Sequence, residues 1–388
     1  MNIKTISINQ RTPPKIHSAR ELHDYSKEKV QHYLSSVIRQ EDPGLKYMDM
    51  FMLLQNLGLD EFSLEIQQRA LRHRTCFRLL NPPNAKLRLL ALYGPGNMQQ
   101  NGPLDFLLFD TDISLDVMYL SEKDLQGSTL EVPDHDVAII AMSASSTINP
   151  ILKALVPFTN QWPRPVLNNT QGILQCERDK LHALLAGISG LTIPPMKRLA
   201  RDQIQKIAPG FLIRPVDTHG GNGFFHMPSH HALSEYLNTY VADSYFVTEF
   251  VDYRDSLGFF RKNRIAFIDR KPYICHRATA DHWMISYKNA HMELSQSKRD
   301  DEQSFMENFD SDFVARHAHS LREMAYRINL DYVVVDCAET QTGELLIFEA
   351  DNAAWIHDTD PVSIFPYKHA VMSHAFSAFR EMLLKSIQ

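Results

Sequence analysis

Residues 331–360, DYVVVDCAETQTGELLIFEADNAAWIHDTD, limit the fold of this chain more than any other stretch. Two runs in this segment, 332–336 and 345–349, are rich in β-branched and aromatic residues, which favour strands. The sequence Thr-Gln-Thr-Gly at residues 340–343, between the two runs, is typical of a turn. We therefore predict a β-hairpin whose strands belong to a largely apolar sheet.

Three carboxylates lie on this hairpin, and strand geometry brings them together at the rim of the sheet. Side chains alternate between the two faces of a strand, so Glu349 and Asp351 point to the same face. A turn centred near residues 342–343 puts Asp336 opposite Glu349. Buried like charges need a counter-charge, and Mg²⁺ usually takes one or two carboxylates together with phosphate oxygens. Either these acids bind a divalent cation, or they are ordinary surface acids at a solvated hairpin end.

Composition excludes several classes of protein. The 388 residues include 40 Lys and Arg against 46 Asp and Glu, a formal net charge of −6, whereas nucleic-acid-binding proteins are expected to be basic. No apolar run approaches the ~18 residues of a membrane span, and the N-terminus lacks the apolar core of a secretory signal. The four cysteines are scattered without CxxC spacing, which indicates reduced thiols. We expect a cytoplasmic protein that binds neither nucleic acid nor a membrane.

The N-terminal part of the chain predicts helices after a loose polar leader over residues 1–18. Ser18 is an N-cap candidate, and Glu21 three residues later completes a capping box. Residues 47–57 and 61–71 have apolar side chains at helical spacing, and the stretch LGLDEFSLEIQQRAL looks like a degenerate tetratricopeptide repeat. This region is either a module that docks a protein partner or a helical cap on the rest of the chain.

Residues 85–170 predict a small open α/β sheet. Its candidate strands are short apolar runs separated by turn sequences, with a helix candidate over 148–155: 87–93, 104–108, 115–119, 137–142 and 166–168. Gly-Pro-Gly at 94–96 is not a dinucleotide-binding fingerprint, because its glycine spacing differs and no suitable acid lies ~20 residues further on. Ser143, Ser145 and Ser146 either line a substrate cleft or form an ordinary polar loop.

Two basic residues and a glycine-rich turn follow. Lys180 lies at the start of a predicted helix over residues 180–188 and is either a phosphate ligand or a solvated helix residue. A predicted strand ending in Arg214 leads into His-Gly-Gly-Asn-Gly at residues 219–223. Glycines let backbone N–H groups approach polyphosphate closely, and Arg214 would supply a cation there. A simple hairpin turn has the same composition, so both interpretations of the turn stay open.

Further cations concentrate beside the next predicted strands. The strand 245–251 has one acid, Glu249, and is followed by a basic segment with Arg261, Lys262 and Arg264. Three cations next to a strand suit phosphates or substrate carboxylates. The alternative interpretation is a solvated basic loop.

The histidines that follow do not predict a metal site, because His276 and His282 match no ligand spacing with a fourth partner. Residues 289–312 are polar and predict a mobile loop. Helices are predicted over 311–328, where apolar residues recur at helical spacing, and over 361–387 at the C-terminus.

Taken in order, these motifs resemble the ATP-grasp superfamily, which includes glutathione synthetase and D-alanine–D-alanine ligase. The motifs are Asp-Lys at 179–180, FLIRP with HGGNG, VTEFV, KNRIAFI, DYVVVD and LIFEAD. The resemblance covers residues 85–388. The N-terminal helices, together with LYGPGNMQQNGPLDFLL, further resemble bacterial ATP-grasp proteins that have tetratricopeptide-type helices.

The fold that this resemblance implies is α/β and α+β, in three parts. A small helical region would cover residues 1–84, an open α/β pre-grasp domain residues 85–170, and a two-subdomain ATP-grasp fold residues 171–388. The helical region would be the place for any protein partner.

The resemblance also implies which residues bind ATP. Lys180 and Arg214 are similar to the two basic residues that hold the nucleotide phosphates, although the family usually has lysine at the second place. The other nucleotide-binding positions belong to a flexible loop and a hinge strand: His219, Gly220, Gly221 and Gly223 in the loop, and Glu249, Phe250 and Val251 in the strand.

Catalytic, metal and substrate residues follow from the same resemblance. Arg264 resembles the arginine that steadies the transferred phosphate, and it is the catalytic candidate together with Arg214. Asp336 and Glu349 resemble the first two Mg²⁺ ligands, and Asp351 occupies the place of a usual asparagine ligand. The candidates for substrate contact are basic residues around the strands: Arg254, Arg261, His276 and His282.

The activity implied is that of a carbon–nitrogen ligase that needs ATP and Mg²⁺, with Mn²⁺ as an alternative metal. A small-molecule or peptide carboxylate would attack the γ-phosphate to give an acyl-phosphate, and an amine would then displace phosphate. Two other functions fit the same motifs: a small-molecule kinase, and a nucleotide-binding scaffold whose N-terminal helices hold a protein partner.

Overall fold

The computed structural model describes residues 2–6, 13–23, 27–127, 129–218, 220–286 and 289–388. Its strands form one two-stranded and three larger sheets, which confirms the predicted α/β and α+β architecture. One apolar core runs through the N-terminal helices, the α/β sheet and the five-stranded sheet, while the four-stranded sheet has a core of its own. The domain boundaries after residues 84 and 170 stay predictions.

The N-terminal region is helical, with one strand before it. β1 (Asn2–Ile6) pairs in parallel with β5 (Thr129–Pro133), so the prediction of a loose leader is wrong for residues 2–6. A strand edge offers backbone hydrogen bonds that composition does not reveal. The predicted capping box is confirmed, because Ser18 and Glu21 each accept the other's N–H through their side chains. The helices are α1 (Ala19–His23), α2 (Lys27–Arg39), α3 (Pro43–Asn56) and α4 (Asp60–His73).

The next part is an open five-stranded α/β sheet. Its strands are β2 (Cys76–Leu80), β3 (Leu87–Tyr93), β4 (Ile113–Tyr119), β6 (Val137–Ile140) and β7 (Val166–Leu167). Its helices are α5 (Leu104–Leu108), α6 (Glu122–Leu125), α7 (Asn149–Thr159) and α8 (Thr170–Gln175), with a 3₁₀ turn at Met98–Gln100. The strand order is β2-β4-β3-β6-β7, and only β2 runs antiparallel to its neighbour.

The prediction of a strand at residues 104–108 is wrong, since this segment is helix α5. All five of its side chains are buried. A short run that is apolar on every side has no periodicity to separate a buried helix from a buried strand. Only the packing around the segment decides between them.

The four-stranded sheet is wholly antiparallel. Its strands are β9 (Met196–Ala200), β10 (Phe211–Pro215), β11 (Phe225–Met227) and β12 (Ser244–Glu249), in the order β11-β10-β12-β9. Helices α9 (Arg178–Leu185), α10 (Arg201–Ile204) and α11 (His230–Thr239) belong to this part of the chain. Ile213, Leu237 and Tyr245 lie in its core, which is separate from the larger core of the protein. A sheet with its own core can move as one unit.

A second five-stranded sheet, which is the one meant by the five-stranded sheet throughout, contains the predicted hairpin. The hairpin is thereby confirmed. The strands of this sheet are β8 (Leu191–Thr192), β13 (Phe260–Ile268), β14 (Lys271–Ala280), β15 (Tyr332–Glu339) and β16 (Leu345–Asp351), in the order β14-β13-β15-β16-β8. The helices that pack on it are α12 (Gln296–Glu307), α13 (Ala318–Ile328) and α14 (Lys368–Lys385). Short 3₁₀ and π-helical turns lie at Met292–Leu294 and Phe309–Val314.

The prediction of a mobile loop over residues 289–312 is wrong, because most of this segment is helix α12 and the turns beside it. Its composition is polar, yet Phe305 and Met306 are buried in the core. These two side chains pack α12 against the sheet in spite of its polar composition. Among the helices of the described residues, none combines the length and the apolar composition that a membrane span requires.

Asp105 on α5 joins the N-terminal helices to the α/β sheet and makes stability depend on pH. Its buried carboxyl accepts the Arg20 N–H at 2.7 Å, and burial raises its pKa from 3.8 to about 6. An acid whose pKa is higher in the folded state binds its proton more tightly there. Stability is therefore lost as the pH rises from about 4 to about 6.

We expect Asp105→Asn to have a free energy of unfolding about 1–3 kcal/mol higher than that of the wild type at pH 8. Urea unfolding should therefore occur at a higher urea concentration. The amide oxygen keeps the hydrogen bond from Arg20 and carries no charge to desolvate. The gain should shrink when the comparison is repeated at pH 5. An equal gain at both values would show that the carboxyl does not titrate in this range.

Candidate active site

A row of charged side chains crosses the five-stranded sheet. Its members are register partners on four neighbouring strands: His276, Arg264, Asp336 and Glu349. The predicted pairing of Asp336 with Glu349 is thereby confirmed. Register partners share a face of the sheet, and Asp351, two residues after Glu349, points the same way. We call this side of the sheet the cleft face.

Asp336 is held by two cations on β13. Arg264 donates to both carboxylate oxygens, at 2.7 and 2.9 Å, and Lys262 donates at 3.0 Å. Arg264 also donates to the Trp355 carbonyl at 2.7 Å. Burial alone would raise the pKa of Asp336, which is only 4% exposed, but Arg264 and Lys262 hold it well below its ordinary value. Asp336 is therefore ionised, and it fixes the orientation of Arg264.

Glu349 pairs with Arg178, a residue that no sequence motif singled out. Arg178 is the first residue of α9 and donates to the Glu349 carboxylate at 2.6 Å. The predicted phosphate ligand Lys180 lies two residues further on and instead pairs with Glu177 at 2.6 Å. Glu177 also accepts from Arg198. The helix was predicted to start at Lys180, two residues after its observed start at Arg178, and only the fold brings Arg178 to Glu349.

Asp351 is the acid of this group that lacks a cation. It accepts the Ala353 N–H at 2.8 Å, and within the described part of the chain no cation lies within ion-pair distance of it. Burial, opposed by that N–H and reinforced by the charge of Glu349, raises its pKa to about 6. A buried carboxylate in this state is suited to accept an added cation.

The predicted metal set Asp336, Glu349 and Asp351 is not gathered into one ligand group. Across the described residues, no three His, Cys, Asp or Glu side chains come together in a metal-binding arrangement. Both Asp336 oxygens accept hydrogen bonds from Arg264, and one of them also accepts from Lys262. Glu349 and Asp351 still fit a divalent cation, because Mg²⁺ needs only one or two carboxylates when phosphates supply its other ligands.

A narrow cavity of about 30 Å³ lies where the cleft face meets the other two large sheets. Arg178, Glu349 and Asp351 line it on one side, and Ser143 and Ser145 from the loop after β6 line it on another. The Ser143 hydroxyl is buried and finds no hydrogen-bond partner in the residues described. The position of this serine loop therefore favours the interpretation in which it lines a cleft.

Arg214 supports the glycine-rich segment that follows β10. Its guanidinium is buried and donates to the Thr218 hydroxyl at 3.1 Å and to the Thr218 carbonyl. Burial, with the charge of Arg178, lowers the pKa of Arg214 to about 9. Asp217 in the same segment accepts the Ser146 N–H at 3.0 Å. In this conformation Arg214 therefore binds the loop, and the loop is attached to the α/β sheet.

Glycine is required at several positions of this segment. Gly220, Gly221 and Gly223 have φ values of +60°, +79° and +66°, a region that favours glycine. At Gly223 an added Cβ would lie 2.7 Å from Pro215, closer than packed atoms approach. His219 lies outside the described residues. The nucleotide-binding role of the segment stays a prediction.

The predicted hinge strand joins the four-stranded and five-stranded sheets. Glu249 ends β12, and Phe250 and Val251 lead towards β13. The Phe250 ring packs 5.3 Å from His226 and 5.9 Å from Trp283. An aromatic wall beside the hinge was not predicted, because its members are distant in sequence.

The four predicted substrate residues do not lie together. His276 belongs to the row on the cleft face, where burial and the charge of Arg264 lower its pKa well below the ordinary value. His282 lies in the turn after β14. Arg254 and Arg261 line a different cavity, since strand alternation directs Arg261 to the face opposite Lys262. Arg254 and Arg261 therefore lie apart from the cleft residues, and the role of all four residues in substrate contact stays a prediction.

Comparison with known proteins found no matching family model and no matching curated protein. Several solved structures of ligases are similar to this chain. The D-alanine–D-alanine ligase from Bacillus anthracis complexed with ATP is 11% identical, covering 78% of this chain and 96% of that one, with a TM-score of 0.45. VanG D-Ala:D-Ser ligase from Enterococcus faecalis is 10% identical, covering 78% and 99%, at 0.47.

The D-alanine–D-alanine ligase from Coxiella burnetii is likewise 10% identical, covering 78% of this chain and 95% of that one, with a TM-score of 0.48. With identities this low and TM-scores below 0.5, the similarity says nothing about the chemistry of the site.

Proposed function

We propose that this protein is an ATP-dependent ligase that joins a carboxylate to an amine. The observation that supports it is the cleft face, where two pairs of opposite charge lie side by side. Arg178 and Glu349 line the cavity, and Arg264 and Asp336 pair next to them on the neighbouring strands. Phosphoryl transfer requires charge neutralisation and positioning more than a covalent protein nucleophile. A site made of fixed cations and acids is suited to this task.

Each cation would have a defined part in the reaction. Asp336 orients the Arg264 guanidinium, whose charge would stabilise the phosphoryl group as a substrate carboxylate attacks it. Arg178, released from Glu349, would contact the phosphates of ATP. The acyl-phosphate formed in this way would react with an amine, whose nitrogen replaces the phosphate oxygen at the carbonyl carbon. The products would be an amide, ADP and inorganic phosphate.

Glu349 and Asp351 are the residues that would hold a divalent cation, Mg²⁺ or Mn²⁺, beside the phosphates. The bound cation would neutralise phosphate charge. Asp336 would act through Arg264 and would not be a ligand, which differs from the assignment that the family resemblance implies. The raised pKa of Asp351, due to burial and Glu349, is the state expected of a carboxylate that gains most from an added cation.

Nucleotide binding would require the four-stranded sheet to move. The cavity of about 30 Å³ is far smaller than the ~300–1,000 Å³ of ordinary ligand sites. The separate core of the four-stranded sheet would let it rotate at Glu249 to Val251 without disturbing the rest of the protein. The glycine-rich segment at 220–223 would then close over the phosphates and exclude water from the acyl-phosphate.

The test is a screen for ADP release with ATP, Mg²⁺ and pairs of candidate carboxylates and amines. We expect ADP to appear only when both substrates are present, and mass spectrometry should identify an amide. A phosphate ester as the final product would indicate a kinase instead. Binding of ATP without turnover for any pair would indicate a nucleotide-binding scaffold.

A pair of glutamates on one hairpin provides a matched control for this screen. Glu349→Gln should lower ADP release at least tenfold. It removes the negative charge that pairs with Arg178 and that would bind a divalent cation. Glu344→Gln, at the exposed end of the same hairpin, should leave the rate unchanged. Equal rates for both variants would contradict the placement of the site.

A further inference from the structure

A second cavity lies on the side of the five-stranded sheet opposite the cleft face, and we call it the rear cavity. Its volume is about 740 Å³, which is within the range of small-molecule sites. Nothing in the proposed function uses it. Its walls include two aromatic residues, Tyr253 and Phe259, and three arginines: Arg254, Arg261 and Arg277.

Strand register shows that the rear cavity is separate from the cleft. Arg277 on β14 pairs with Asn263 on β13, one position away from the cleft row of His276 and Arg264. Adjacent positions on a strand point to opposite faces. A ligand in the rear cavity would therefore be separated from Arg264 by the sheet itself.

Arg277 is the residue that points to a ligand. Its side chain is 11% exposed, and its guanidinium lies 3.3 Å above the Phe305 ring. Its Nε donates to the Asn263 amide oxygen at 2.9 Å. Its Nη1 reaches Asp301 only at 4.0 Å, which is beyond hydrogen-bonding distance. Within the part of the chain described, the terminal nitrogens of Arg277 donate no hydrogen bond.

The other charges around the cavity already have partners. Arg261 donates to Asp301 at 2.9 Å and also pairs with Asp255. Arg254 donates to Asp252 at 2.9 and 3.0 Å. Since these arginines are paired, a ligand would gain little by competing for them. Arg277 differs, because it is mostly buried and the terminal nitrogens of its guanidinium are left to face the cavity.

The protonation behaviour of Arg277 agrees with this geometry. Burial, with the charge of Arg261, lowers its pKa to about 10 in spite of Asp301. An arginine that had a close anionic partner would be shifted in the opposite direction, as Arg264 is. Arg277 is thus a desolvated cation without a close anion.

We propose that the rear cavity binds the carboxylate of a free amino acid or short peptide, with Arg277 as the anchor. A carboxylate is planar and matches the two parallel donors of a guanidinium. Acids also line the cavity, among them Asp255 and Glu339. They would repel a phosphate dianion, whereas a zwitterion can place its ammonium group near them. Tyr253 and Phe259 would pack against an apolar side chain.

This site does not depend on the proposed ligase activity. The bound molecule would lie behind the sheet whose other face holds Arg264 and Asp336. Its binding should consequently be measurable in protein that neither binds nor turns over ATP.

The test is calorimetric titration of the full chain with glycyl-phenylalanine, its C-terminal amide and inorganic phosphate. We expect saturable binding of the free peptide and at least tenfold weaker binding of the amide, which lacks the anionic group. This comparison uses the wild-type protein alone, so it remains valid even if a variant fails to fold. Tighter binding of phosphate than of the peptide, equal binding of the amide, or no binding of the peptide at millimolar concentration would overturn the proposal.

Two conservative variants locate the site. Arg277→Lys keeps the charge and loses the planar fork, so it should weaken peptide binding at least tenfold. Arg270→Lys, in the turn after β13 and away from both cavities, should bind as the wild type does. Glu349→Gln should also bind normally, because it alters only the cleft. Loss of binding in Glu349→Gln with retention in Arg277→Lys would place the peptide in the cleft and refute the rear site.

Discussion

Arg264→Lys is expected to lower ADP release by about 100- to 1,000-fold, the cost of removing one preorganised donor from a transition state. Lysine keeps the charge beside Asp336, so the fold should survive. It loses the planar guanidinium that donates to both Asp336 oxygens and to the Trp355 carbonyl at the same time. The measurement is the rate of ADP release at saturating ATP, for an acid and amine pair found by the screen.

A matched control for this variant exists in the turn after the same strand. Arg270→Lys changes an exposed arginine whose partner is the Asn329 side chain at 2.7 Å, so its ADP release should equal that of the wild type. The two variants should unfold at similar urea concentrations. A rate within a few-fold of the wild type for Arg264→Lys would remove Arg264 from the reaction and weaken the whole assignment of the cleft face.

Lys368→Met should reduce the free energy of unfolding by about 3–5 kcal/mol, as expected when one partner of a buried ion pair is removed. Lys368, at the start of α14, is 3% exposed and pairs with Glu302 at 3.3 Å and with Asp360 at 2.9 Å. Glu302 is only 1% exposed, so the variant would leave its charge buried without a cation. Urea unfolding followed by circular dichroism measures the loss.

The C-terminal end of the same helix supplies the control. Lys385→Met changes a lysine that is 71% exposed and paired with Asp269 at 2.7 Å, and it should cost about 0–1 kcal/mol. Adding Glu302→Gln to Lys368→Met should restore part of the stability, because glutamine still accepts from the Tyr367 hydroxyl without a charge. If the double variant is no more stable than Lys368→Met, the loss does not come from the buried charge of Glu302.

Features that depend on a few neighbouring residues were predictable from the sequence. The hairpin and its register follow from alternation and from the position of a turn, and they place Asp336 opposite Glu349. The capping box at Ser18 is equally local. The glycines at 220, 221 and 223 also adopt the positive φ values that their composition allows.

The partner of each charge was not predictable in the same way. Asp336 was predicted as a metal ligand, but its oxygens are taken by Arg264 and Lys262, which are 72 and 74 residues away in the chain. Arg178 reaches Glu349 across 171 residues, while its neighbour Lys180 turns to Glu177. Sequence spacing contains no information on such pairs, because they depend on which elements pack together.

The sequence by itself therefore determined the two strands and the turn of the hairpin and the face to which each of its acids points, since these follow from the two-residue period of a strand and from local turn chemistry. Only the tertiary structure decided that residues 104–108 form a helix, that residues 296–307 are ordered, and that a second cavity lies on the face of the sheet where Arg261 is found. The reason is physical. Burial and ion pairing are properties of the space around a side chain, and residues from distant parts of the chain fill that space.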